Sequence, residues 1–213
     1  MKIDSPNISE NLPKENADIF LTEDSLIDGV CDCLFSSERF LSTVFTSSDV
    51  QNCVFENCKM SDCNFSSTAF NDCVFKNCDM SMTNFSSCFF NRVKFVGCKL
   101  DGADLTEIVI KNTAFENCIG KYVNFALSKF KKIFVKECTF IYANFMSFEH
   151  ENAVFQDCEL SGSNFCGAKM KNMNLSTCGI NNALFRIEDL KDLTVNREQA
   201  AALSRLMGIK IEN

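Results

Sequence analysis

The chain has 213 residues, 46% of them apolar, and a net charge of −7. That length fits one or two domains, and the acidic balance argues against direct binding of nucleic acid. No run approaches the roughly 18 consecutive apolar residues of a membrane-spanning helix, and the opening MKIDSPNISENLP lacks a secretory leader's basic start and apolar core, so a cytoplasmic protein is expected.

Residues 1–30 form an acidic N-terminal segment, with seven acids and two lysines. Phe20 and Val30 fall on the phase of the repeat that follows, so part of this segment is expected to close its first coil.

From residue 31 to 193 one rule governs the sequence. In Cys53–Phe75, CVFENCKMSDCNFSSTAFNDCVF, every fifth residue is large and apolar (Phe55, Met60, Phe65, Phe70, Phe75), and a small residue stands two places before it. The register runs unbroken from Phe35 to Leu190 over 32 positions, where only Gly120 and His150 depart from Phe, Leu, Ile, Val or Met. Helices and flat strands have side-chain periods of 3.6 and 2, so a period of five marks an internal repeat. A five-residue unit suits one side of a square coil, with the large residue pointing in and a turn at the corner.

Four such sides make a coil of 20 residues, and the columns hold at that spacing. Phe45, Phe65, Phe85, Leu105, Phe125, Phe145, Phe165 and Phe185 form one ladder; Cys58, Cys78, Cys98, Cys118, Cys138, Cys158 and Cys178 form another. Asn64, Asn84, Asp104, Asn124, Asn144 and Asn164 form a third, expected to hydrogen-bond between coils. The fold expected is all-β: a right-handed quadrilateral parallel β-helix of about eight coils. Residues two past an inward position, such as Asn57, Asn77, Gly97, Gly102, Gly162 and Gly167, are types that tolerate the positive φ of a tight corner.

Of 14 cysteines, 12 occupy the small slot. Stacked side chains point the same way, which is poor disulfide geometry, and their spacing makes no zinc knuckle, so reduced core thiols are expected, with no metal and no cofactor.

Irregular places on a regular rod are where a partner contact is expected, since packing specifies the rest. Gly120 leaves a hole between Leu100 and Phe140, towards which Tyr122 and Tyr142 could lean. At Phe148–Glu149–His150–Glu151 the large residue has moved into the small slot; either a bulge turns His150 outward or it is a buried neutral histidine. The candidate contact residues are thus Gly120, Tyr122, Tyr142, Glu149, His150 and Glu151. Glu38, an acid in a small slot, is a third departure.

Residues 194–213 break from the repeat. Asn196 and Gln199 suit a capping box, opening a helix over Arg197–Met207 with Gly208 just past its end. Ile209–Ile211 reads as a short strand. The apolar residues Ala200, Leu203, Leu206, Met207, Ile209 and Ile211 suit either a plain cap on the last coil or pairing with a second copy, and a homodimer is the expectation.

The five-residue rule identifies residues 33–190 as resembling the pentapeptide-repeat family. The tail TVNREQAAALSRLMGIKI (Gln199–Ala200, Gly208–Ile209), the overall length, the FENCIGKYVNF stretch (115–125) and the opening MKI…NLP are similar to the Qnr quinolone-resistance proteins, chromosomal Gram-positive members in particular. That resemblance implies a dimeric rod that imitates duplex DNA, binds DNA gyrase or topoisomerase IV and protects it from fluoroquinolones. The alternative is a scaffold for another protein partner. An enzyme is not expected, because no nucleophile–base pair or Gly-rich phosphate loop is present.

Overall fold

The computed structural model describes residues 3–22, 28–40 and 42–212. Nine parallel strands form one sheet that winds around the rod: β1 (Val30–Cys31), β2 (Leu34–Ser36), β3 (Asp49–Gln51), β4 (Val54–Glu56), β5 (Ala69–Lys76), β6 (Phe89–Val96), β7 (Val109–Glu116), β8 (Lys129–Lys136) and β9 (Glu149–Gln156). Every pairing is offset by 20 residues, for example Phe70↔Phe90 and Phe75↔Phe95. Each of β5 to β9 covers two sides of the square, carrying the inward columns of Phe70 and of Phe75. The other two sides, with the columns of Met60 and Phe65, are held by isolated bridges such as Lys59↔Asp79 and Asn64↔Asn84. We call these the first to fourth sides in that order.

The sheet from Val30 to His150 makes about six turns rather than eight. Beyond it, single bridges continue the stacking from Lys14↔Leu34 at one end to Asn174↔Thr194 at the other. The C-terminal end coil lacks extended strands on the first two sides because no full coil lies beyond it to complete the ladder.

The inward residues form one continuous core. Phe55, Phe75 and Phe95 stack face to face with ring centroids 4.7 and 5.0 Å apart, close to the spacing of adjacent strands. Neighbouring sides meet edge to face, as Phe70 does with Phe75 at 5.7 Å. A single coil cannot bury such a ring, so each depends on the coils above and below. At the N-terminal end Phe20, carried on a 3-10 turn (Ala17–Leu21), closes the first coil by packing on Phe35, Phe40 and Phe45. Glu38, in its small slot, accepts the Ala17 N–H there at 3.4 Å. Two of the seven N-terminal acids, Glu23 and Asp24, lie outside the described residues.

The small slot is not simply apolar. Its thiols and hydroxyls donate to a backbone carbonyl 23 residues earlier: Cys58 Sγ to Phe35 O (3.4 Å), Cys78 Sγ to Phe55 O (3.3 Å), Thr68 Oγ1 to Phe45 O (3.0 Å). All 14 cysteines are free thiols. Burial pushes the Cys73 and Cys88 thiols up to about 12, far from the thiolate needed for reactivity.

The asparagine ladder does other work than expected. Each Oδ1 accepts the backbone N–H two residues on, within its own coil: Asn64 from Ser66 at 3.1 Å, Asn84 from Ser86 at 2.9 Å, Asn164 from Cys166 at 3.0 Å. These are Asx turns that shape the fourth side rather than amide bonds between coils.

At the C-terminal end the capping box forms as the sequence implies. Gln199 N–H donates to Asn196 Oδ1 (3.0 Å) and Asn196 N–H to Gln199 Oε1 (2.8 Å). Helix α1 runs Arg197–Ser204, and a 3-10 turn, Arg205–Met207, completes the expected span. Gly208 follows in the left-handed region at φ +73°, where glycine has no Cβ to clash. The expected strand at Ile209–Ile211 is absent: these residues have no ladder partner.

Candidate partner-binding surfaces

The corner between the third and fourth sides carries Met82, Gly102, Tyr122, Tyr142 and Gly162 in one line, 20 residues apart. Nearly every corner position has positive φ, and Met82, Tyr122 and Tyr142 adopt +57°, +59° and +56°. Left-handed backbone is uncommon for large side chains, so these residues are not ones that the turn itself would select. The two tyrosines stack at 5.3 Å and are 60% and 52% exposed. The Met82 side chain lies over Gly102 and the Tyr142 ring lies over Gly162, where an added Cβ would collide with it. Glycines at those two rungs therefore leave the large side chains room to lie along the rod. Sequence reading picked out the tyrosines but missed Met82, whose signal is a bulky residue at a corner position.

Gly120 lies behind this ridge, in the core. No hole is present: a Cβ there would stand 3.0 Å from Phe140 Cδ1 and 3.3 Å from Leu100 Cβ. The Phe140 ring has moved into the space, and the tyrosines point outward rather than into it. Gly120 is buried.

On the first side the structure takes the second of the two alternatives at 148–151: no bulge forms. β9 pairs with β8 in unbroken register, His150 opposite Phe130. Phe148 fills the small slot and is fully buried, with the His150 ring 5.8 Å away. His150 is half-buried, and its Nδ1 accepts the Ala153 N–H at 3.5 Å. Burial holds its pKa below the ordinary imidazole value, opposed by the backbone of Lys169.

That depression has a consequence for stability. A group whose folded pKa lies below its unfolded one contributes stability that is intact above the unfolded pKa and lost as pH falls through the folded one. Moving from about pH 7.5 to about pH 5 should therefore lower the denaturation midpoint of the native chain. His150→Phe, which restores the inward rule, should raise the midpoint and flatten that dependence; an unchanged pH slope in the variant would assign the sensitivity elsewhere.

Glu149 and Glu151 project from the same strand between lysines. Glu149 pairs with Lys169 at 2.6 Å, which lowers its carboxyl pKa, and Glu151 pairs with Lys131 at 2.9 Å. Lys111, Lys129, Lys131, Glu149, His150 and Lys169 border a shallow depression of about 300 Å³. This half of the first side is thus basic with paired acids at its centre.

Charge is mixed on the next two sides. Glu56–Lys76 (3.3 Å) and Lys94–Glu116 (2.9 Å) pair across coils of the second, and Lys99–Asp101 (3.5 Å) within a coil of the third. The fourth side is almost uncharged, with Asp104, Glu107 and Arg186 set among Asn, Ser and apolar residues. Among the described residues no side presents an unbroken line of acids.

Of the expected dimerisation residues, Leu203 packs partly on the core, while Leu206, Met207, Ile209 and Ile211 are 44–61% exposed and Ala200 is exposed. Gln199 ties α1 down, donating from Nε2 to Leu175 O (2.9 Å) and Cys178 O (2.6 Å). Among the described residues no cluster of His, Cys, Asp and Glu could hold a metal, and no helix is long and apolar enough to cross a membrane.

Residues 48–125 and 89–165 match the sequence family described as the pentapeptide repeat region, which together is more than half of the chain. No curated protein matches the chain. Among solved structures, the chain is similar to QnrB1, a plasmid-mediated fluoroquinolone resistance protein, at 19% identity over 94% of this chain and 97% of that one (TM-score 0.48). It is also similar to HetL of the cyanobacterium Nostoc sp. strain PCC 7120, a pentapeptide repeat protein involved in regulating heterocyst differentiation, at 12% identity over 77% and 85% (TM-score 0.42).

Proposed function

Because the chain belongs to the pentapeptide-repeat family, we propose that it is a non-catalytic rod that binds a protein partner, and that this partner is a type II topoisomerase, DNA gyrase or topoisomerase IV, which it protects from fluoroquinolones. The observation that supports this reading most is the C-terminal element. The tail similar to that of the quinolone-resistance members folds as a capped helix fixed to the last coil and leaves Leu206, Met207, Ile209 and Ile211 outward. Two rods joined there would have the length to lie along a DNA-binding saddle. The two isoleucines would then gain the ladder partner that a single copy does not give them.

The charge distribution favours a second reading. Literal imitation of DNA asks for a dense line of negative charge, whereas the acids here alternate with bases on three sides and are sparse on the fourth. A general scaffold, gripping its partner through the Met82–Tyr122–Tyr142 ridge, fits that surface. Salt separates the two: binding along a line of acids weakens steeply with ionic strength, and binding through an apolar ridge does not.

The test is a gyrase supercoiling assay inhibited by ciprofloxacin, into which the purified protein is titrated. Restored supercoiling is the expected result. Leu206→Ser with Ile209→Ser, both exposed on the C-terminal element that this reading rests on, should reduce the rescue at least about tenfold, or about 1.4 kcal/mol of contact energy. Neither rescue nor inhibition of gyrase at any dose would leave the scaffold reading.

A further inference from the structure

Residues 3–14 do not wander over the end of the rod; they climb it. Leu34 N–H donates to Pro13 O at 2.8 Å, Ser9 lies beside Asn52 and Asn7 beside Asp72, and Asp4 is within electrostatic reach of Arg92. Asn52, Asp72 and Arg92 are successive rungs of one corner column, between the first and second sides. Each step back along the segment thus reaches one coil further on.

The contacts are those of a groove reading an extended peptide. Asp72 Oδ1 accepts the Asn7 N–H at 2.8 Å, and Asn52 Oδ1 accepts the Ser9 N–H at 3.0 Å while its Nδ2 donates to Ser9 Oγ at 2.6 Å. These N–H groups are two residues apart, as the alternation of an extended chain requires. Arg92 fixes the Asp72 carboxylate in a two-point pair, Nε–Oδ1 2.7 Å and Nη2–Oδ2 2.5 Å, and under the segment Asp72 is only 5% exposed. Beside this polar row, Ile8 and Leu12, four residues apart, lie with Leu34 and Val54 of the second side around one cleft. One rung beyond Arg92, the Asn112 Oδ1 is buried with no hydrogen-bond partner among the described residues.

We propose that this corner is a binding groove for an extended segment of a partner protein, and that residues 3–14 occupy it in the resting chain as a built-in competitor. The ligand class follows from the contacts: an extended peptide with two free backbone N–H groups at alternate residues and apolar side chains four apart. Nothing in that chemistry requires the peptide to belong to the same chain. The groove lies on a different surface from the tyrosine ridge and the C-terminal cap, and its test is independent of the topoisomerase reading.

The experiment uses the full chain carrying Ile8→Asp and Leu12→Asp, which loosen the segment and leave every rod residue intact. A fluorescein-labelled peptide of residues 3–14, IDSPNISENLPK, is titrated and followed by anisotropy. It should bind the loosened protein at least about tenfold more tightly than the native one, because the native groove is filled. Adding Asn52→Ala should abolish that binding, with the rod's circular dichroism unchanged. Hydrogen exchange of native protein should show the Asn7 and Ser9 amides opening locally, without global unfolding. No binding to the loosened protein, binding indifferent to Asn52, amides that exchange only on global unfolding, or a loosened protein that dimerises instead of taking up peptide would each overturn the proposal.

Discussion

Phe75→Ala is expected to lower the unfolding free energy by about 3–5 kcal/mol, through lost burial together with the cavity left behind. Phe75 is fully buried and stands mid-column, stacked on Phe55 at 4.7 Å and Phe95 at 5.0 Å and met edge-on by Phe70 at 5.7 Å. The site has little freedom to collapse, because the coils above and below are held at strand spacing by the Phe55↔Phe75 and Phe75↔Phe95 pairings. Ring–ring contacts add to area burial, so removal on both faces places the cost in the upper part of that range. Denaturant unfolding followed by circular dichroism would read it as a lower midpoint at unchanged slope. A loss below about 1 kcal/mol would mean that the rings do not form a continuous core.

The second large effect runs against the sequence rule. Gly120→Leu restores the large apolar residue that almost every other inward position carries, and the repeat alone would predict a gain. The structure predicts a loss of about 1–3 kcal/mol by overpacking. The Phe140 ring already occupies the space, 3.0 and 3.1 Å from where a Cβ would stand, with Leu100 at 3.3 Å on the opposite side. Phe140 cannot simply retreat, because it also packs edge-on against Phe115 at 6.3 Å and leans on Phe125 at 5.7 Å. The cause can be isolated with a double-mutant cycle. Gly120→Leu combined with Phe140→Ala should be more stable than the sum of the two single changes. Additive effects, or a stabilising Gly120→Leu, would remove the ring from the explanation.

What was legible in the sequence is what repetition determines. A five-residue period with one large and one small inward residue can be satisfied only by a coil that turns at every unit, and a 20-residue period makes that coil four-sided. The unbroken register from Phe35 to Leu190 therefore gave the fold, its inward columns and the free thiols. It also gave the closing role of Phe20, which falls on phase outside the convincing repeat. The Asn196–Gln199 capping box was readable for a similar reason: its bonds are local, between residues three apart.

What only the tertiary structure decided depends on neighbours one coil away or more. Whether Gly120 leaves a hole depends on which way Phe140 turns. Whether His150 is expelled depends on Phe148 fitting a slot meant for a smaller residue, which lets β9 keep its register. The asparagine ladder spends its oxygens within its own coil, although its 20-residue spacing is equally compatible with bonds between coils. Ile209–Ile211 has the alternation of a strand, but a strand needs a partner edge. Asn52, Asp72 and Arg92 look like ordinary corner residues until the N-terminal segment is laid across them. One-dimensional periodicity fixes where each side chain points; only the packed structure decides what it meets there.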